Sequence, residues 1–148
     1  MKYRDYKKPV NEFAKKVIER FGAKVISIVL FGSVARGTSK KTSDVDILIV
    51  MRDLPERTIE RHSLLVDMEV EFIKKYHISI SPVCLSPEDF KNINPLFYGI
   101  LVGYKVIYDP DNFWNNFKNR IKPEIIEQNP EYIETYENGK RWMIADII

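Results

Sequence analysis

The chain has 148 residues, of which 45% are hydrophobic and 30% charged, and a formal net charge of +2. This is one domain's worth of chain with enough apolar content for a sizeable core, and no apolar run approaches the roughly 20 residues needed to cross a bilayer. Cys84 is the only cysteine, which excludes an intramolecular disulfide or a cysteine-rich zinc site, and the N-terminus has no signal-peptide-like apolar segment, so a cytoplasmic location is expected.

Val10, Phe13, Ala14, Val17, Ile18 and Phe21 recur at helical spacing and predict an amphipathic helix that begins near Pro9 and stops at Gly22. Lys24 to Phe31 is short, β-rich and almost wholly apolar, the pattern of a central buried strand. Ser33 is placed to cap a short helix over Val34-Ala35-Arg36, and Gly37 to end it. A polar loop from Thr38 to Ser43 carries Lys40 and Lys41, which read as solvated. The next strand should run from Asp44 to about Arg52, with Val45, Ile47 and Ile49 on one face and Asp46, Leu48 and Val50 on the other.

Leu54-Pro55 opens a helix expected to reach Lys75, with Leu65, Met68, Phe72 and Tyr76 inward and Glu56, Glu60 and Arg61 toward water. Ile78 to Leu85 reads as a strand that Pro82 confines to an edge or a bulge. Ser86 to Asp89 has a helix-start pattern, Leu96 to Leu101 a short apolar helix, and Lys105 to Tyr108 a last short strand. Phe113, Trp114, Phe117 and Ile121 predict a helix ending near Pro123, and Asn129-Pro130 the start of another that ends at Gly139. Trp114, Trp142 and Cys84 read as packing residues, and neither His62 nor His77 has a partner at ligand spacing. The apolar ending from Trp142 to Ile148 should dock on its own domain or on a partner, a second copy being one option.

Charge is uneven: residues 1–24 carry eight Lys/Arg against three acids, and residues 109–148 five against eight. Solvated faces are the first reading of this and orientation toward an anionic partner the second, and no basic stripe of the nucleic-acid-binding kind is present.

Chemistry concentrates in Phe31-Gly32-Ser33-Val34-Ala35-Arg36-Gly37 and Asp44-Val45-Asp46. Residues i and i+2 of a strand share a face, so Asp44 and Asp46 would converge on one space and suit a hard divalent cation. A Gly-Ser turn before a helix offers backbone N–H groups to phosphate. Together they suggest chemistry on a nucleoside triphosphate.

These residues resemble the nucleotidyltransferases of the DNA polymerase beta superfamily, most closely the minimal nucleotidyltransferase branch, whose pattern is Gly-Ser, ten residues, Asp-x-Asp, often with Ala-Arg-Gly in the gap. Gly103 to Tyr108 is similar to the strand that commonly closes such domains. The resemblance implies an α+β palm, a mixed sheet flanked by helices, over residues 10–109, with 110–148 as a helical C-terminal extension. It implies that Asp44 and Asp46 are catalytic and hold Mg²⁺ or Mn²⁺, and that Gly32 and Ser33 bind the nucleoside triphosphate, ATP first among the candidates. Arg36 would either lend charge to the triphosphate or brace the loop. The reaction implied is transfer of a nucleoside monophosphate, AMP before the others, to an acceptor hydroxyl. A helical HEPN-type protein is the partner such domains often have, sometimes with the domain as an antitoxin that adenylylates a toxin. The family's usual third carboxylate is missing from Ile78-Ser79-Ile80-Ser81-Pro82-Val83, where serines stand instead, and Glu69 and Glu71 fall on the preceding helix. A transfer-deficient nucleotide- or partner-binding module is therefore the alternative, and an aminoglycoside-type enzyme a third reading.

Overall fold

The computed structural model describes residues 3–128 and 140–141. A five-stranded mixed sheet forms the middle layer, with strands β1 (Val25–Phe31), β2 (Val45–Met51), β3 (Ile80–Leu85), β4 (Tyr104–Tyr108) and β5 (Lys140–Arg141) in the order β3-β2-β1-β4-β5. β1 runs antiparallel to both β2 and β4, while β2–β3 and β4–β5 are parallel. All seven residues of β1 are buried, as a run apolar at every position but Ser27 requires of a strand covered on both faces. β3 lies at the sheet's edge, where Pro82 has no second ladder to interrupt.

Helix α1 (Tyr3–Phe21) and helix α4 (Val66–Tyr76) cover one face. Phe13 of α1 meets Phe72 of α4 edge-on at 5.4 Å, against Ile28, Leu30, Val45, Ile47 and Ile49 from the sheet. Truncating either ring would cost about 3–5 kcal/mol. The same helices are tied outside the core by Arg20, which donates to both Asp67 oxygens at 2.8 and 2.7 Å, and by Lys16–Glu71 and Lys75–Glu12 pairs. These exposed pairs fix register more than they stabilise. The other face carries helix α5 (Pro95–Leu101) and helix α6 (Phe113–Gln128) over Val29, Phe31, Leu48 and Val50. Trp114, Phe117 and Ile121 of α6 lie in this second core, and Asp109 anchors the helix by accepting from Trp114 N at 3.1 Å. No helix among the described residues is long and apolar enough to cross a membrane.

Several boundaries differ from the sequence expectation. α1 starts before Pro9 and keeps the proline inside. Tyr6, only 2% exposed, holds the preceding turn on the core and offsets the hydrogen bond that Pro9 cannot make. α6 likewise continues through Pro123, which is exposed, so water can satisfy the carbonyl it leaves free.

The single helix expected over 54–75 is two, α3 (Thr58–Ser63) and α4. Leu64 N and Leu65 N bond back three residues, to Arg61 O and His62 O, which tightens the chain into a bend between them. Arg61 does not face water. It donates to Pro55 O at 2.5 Å, Cys84 O at 3.3 Å and Asp89 Oδ2 at 2.7 Å, so α3 is fixed to the end of β3 while α4 follows α1.

Ser86 to Asp89 is a 3₁₀ turn (Pro87–Phe90) rather than an α-helix, closed by reciprocal Ser86 and Asp89 bonds. The C-terminal extension is not wholly helical, because Lys140–Arg141 add a strand to the sheet beside β4. The helix expected from Asn129-Pro130 to Gly139, and the ending from Trp142, lie outside the described residues.

Candidate active site

The antiparallel register places Phe31, the last residue of β1, opposite Asp46 in β2. The chain then turns at Gly32, with φ +75°, into helix α2 (Gly32–Arg36), held in the core by buried Val34. Gly37 ends α2 in the left-handed conformation, φ 77°, and Thr38 N closes the turn on Ser33 O at 3.0 Å. Ser33 sits inside the first turn and caps nothing: the N-cap is Phe31, without a side-chain bond, because the helix begins directly at the glycine.

Gly32 meets two demands at once. Its positive φ excludes most side chains, and a Cβ there would stand 2.2 Å from Asp46 Oδ2 and 3.1 Å from Asp46 Cγ. The Asp46 carboxylate thus occupies the space in front of the Gly32 α-carbon. Asp44 precedes β2 by one residue and is exposed, on a loop set by Lys40 N donating to Ser43 Oγ at 2.8 Å and Ser43 N to Lys40 O at 2.9 Å. Lys40 and Lys41 are exposed, as expected.

Burial is the main cause that raises the Asp46 carboxyl above the ordinary carboxylate range; the negative charge of Asp44 adds to it, and Arg36 opposes it. Asp44 and Arg36 are therefore each within electrostatic reach of Asp46. The two acids leave a negative surplus that a cation would relieve, so the donor set fits a hard divalent ion.

Beside Asp46 on the parallel strand β3 stands Ser81. Among the described residues no group of three or more His, Cys, Asp or Glu side chains is placed to hold a metal. Glu71 is paired to Lys16, while Glu69 lies 3.7 Å from His62, a proximity that the bend between α3 and α4 creates and linear spacing concealed. Burial raises the Glu69 carboxyl, and His62 opposes the shift. Cys84 is buried in the first core. A groove of about 1160 Å³ lies at the opposite end of β2, beside Arg52 and Asp53, and neither Asp44 nor Asp46 lines it.

Residues 10–102 match the family model of the nucleotidyltransferase domain. The chain belongs to that family. It is 50% identical over 141 residues to a Methanocaldococcus jannaschii protein provisionally named a protein adenylyltransferase, with 94% of each chain covered. A second protein of that organism, named in the same way, is 32% identical over 103 residues, 68% of this chain and 96% of its own.

Among solved structures, a toxin–antitoxin complex with AMP-PNP superposes with a TM-score of 0.54 at 18% identity, covering 81% of this chain and 93% of the other. A Shewanella oneidensis complex of a tri-AMPylated HEPN toxin with an MNT antitoxin gives 0.50 at 16% identity, covering 84% and 92%. At these identities the likeness shows the fold alone, a polymerase-beta-like α+β palm. This nucleotidyltransferase is an enzyme, and the Gly32–Asp46 segment lies within the matched residues.

Proposed function

We propose that the nucleotidyltransferase moves AMP from ATP to an acceptor hydroxyl on a protein, with a divalent cation held by Asp44 and Asp46. The observation that carries this is the contact between the Gly32 turn and the Asp46 carboxylate, with the charges of Asp44 and Arg36 felt at the same oxygen pair. In the reaction the acceptor oxygen attacks the α-phosphorus, the bond from that phosphorus to the leaving pyrophosphate breaks, and the acceptor proton passes to solvent. The cation would supply charge to the reacting phosphate oxygens and the leaving group. The residues of the chain orient the substrate: Gly32 and Ser33 offer backbone N–H groups to the terminal phosphates, and Arg36 adds positive charge. Mg²⁺ or Mn²⁺ suits two carboxylates that leave most of the coordination shell to water and phosphate.

AMP and a protein acceptor are supported by the provisional name of the Methanocaldococcus relatives, and an HEPN-type helical partner by the complexes of similar fold. Residues 10–109 form the transfer unit in this reading, and 110–148 an extension that α6 seats on the sheet.

Ser81 beside Asp46 favours a second reading, nucleotide or partner binding without transfer, since no carboxylate stands there to take the acceptor's proton. Incubation with α-labelled ATP, Mg²⁺ and host lysate separates the two. Label on a protein band with wild type, and none with Asp44→Ala/Asp46→Ala, supports transfer. ATP binding without label or pyrophosphate release in every mixture supports the module.

A further inference from the structure

We propose that Gly103 is a positioning residue that lays the Arg36 side chain across the ends of β1 and β4 and holds its guanidinium over the nucleotide site; this rests on the nucleotide-binding reading above. Gly103 is buried between α5 and β4, and its N–H reaches Ile100 O at 3.3 Å. Its backbone does not ask for glycine: among described glycines only Gly22, Gly32 and Gly37 have positive φ. What asks for glycine is a neighbour. A Cβ at 103 would lie 2.5 Å from Arg36 Cγ and 3.1 Å from Arg36 Cδ. These are atoms of the stem, not its free end, so an added methyl would force the whole side chain into another rotamer.

The placement follows from the sheet. Tyr104, the first residue of β4, pairs with Phe31, so Gly103 and the Gly32 turn stand at the same end of adjacent strands. Arg36, the last residue of α2, projects from that turn and is otherwise exposed. A free arginine side chain carries rotamer entropy, which a bound phosphate would have to overcome. Seating the stem in the gap at Gly103 removes part of that freedom before substrate arrives, and it fixes which way the planar donor fork points.

The test is a double-mutant cycle of Gly103→Ala, Arg36→Ala and the pair, read by calorimetric affinity for ATP with Mg²⁺ and by melting temperature. Each single variant should weaken ATP binding about tenfold, the scale of one charge-assisted contact. The double should bind like Arg36→Ala alone, because an alanine in place of Arg36 lacks the Cγ and Cδ that the methyl displaces. A purely structural glycine would lower the melting temperature and leave ATP affinity intact. Gly103→Ala retaining wild-type affinity while Arg36→Ala loses it, or two losses that multiply, overturns the proposal. If Gly103→Ala alone does not fold, the double variant must fold and bind like Arg36→Ala; its failure to do so also overturns it. A wild type that binds no ATP refutes the nucleotide site itself and the proposal with it, whereas binding that Gly103→Ala leaves untouched refutes the proposal alone.

Discussion

Replacing Gly32 with alanine should strike backbone and carboxylate together. The left-handed φ of +75° costs an alanine about 1–2 kcal/mol. The new Cβ would stand 2.2 Å from Asp46 Oδ2, so the carboxylate must leave its rotamer, at about 0.5–1.5 kcal/mol. The sum is about 1.5–3.5 kcal/mol, or a melting temperature lower by about 3–14 °C for a domain of this size. Transfer should fall more steeply, by about 100-fold, since a displacement of about 1 Å at the reacting groups is enough for that. Thermal unfolding of Gly32→Ala, Asp46→Ala and the double variant separates the two parts. Without the carboxylate only the backbone cost should remain, leaving a coupling of about 1 kcal/mol between the sites. An equal cost in both backgrounds would refute the close approach of Asp46 to Gly32.

Asp46 holds its proton more tightly in the folded chain than in the unfolded one, so its ionisation opposes folding. That penalty is absent below the unfolded value and grows as pH rises through the folded one. Asp46→Asn should therefore melt higher than wild type at neutral pH and lose the advantage in acid; a gain independent of pH would contradict the stated cause. Arg61→Met should cost about 3 kcal/mol in urea unfolding, because it strips a part-buried guanidinium from Pro55 O, Cys84 O and Asp89. Burial pushes the Cys84 thiol up to about 11, so a disulfide reagent at pH 8 should modify it only after denaturant is added.

The sheet was legible because β1 and β2 carry their burial in composition: Val25–Phe31 is apolar except for Ser27, and β2 alternates between two cores with Asp46 at its open end. Pro82 marked its own strand as an edge. The site's membership was equally local, since Gly32 and Asp46 are brought together by one hairpin-like register. What could not be read depends on contacts distant in sequence. Tyr6 carries α1 past Pro9, and the solvent beside Pro123 lets α6 run on, so a local breaker lost to tertiary context in both. The bend at Leu64-Leu65 follows from the attachment of Arg61 to β3, which no helical period announces. Gly32 reads in sequence as a point of phosphate approach; its missing side chain also makes room for Asp46, a neighbour that only the fold shows.

The most direct measurement is Mn²⁺ binding, followed by electron paramagnetic resonance with a non-hydrolysable ATP analogue present, in wild type, Asp44→Asn and Asp46→Asn. The expected result is tight Mn²⁺ uptake that depends on the analogue and falls sharply in each variant. Unchanged Mn²⁺ affinity in both variants would mean that the paired aspartates do not hold the ion, and would contradict the proposed site.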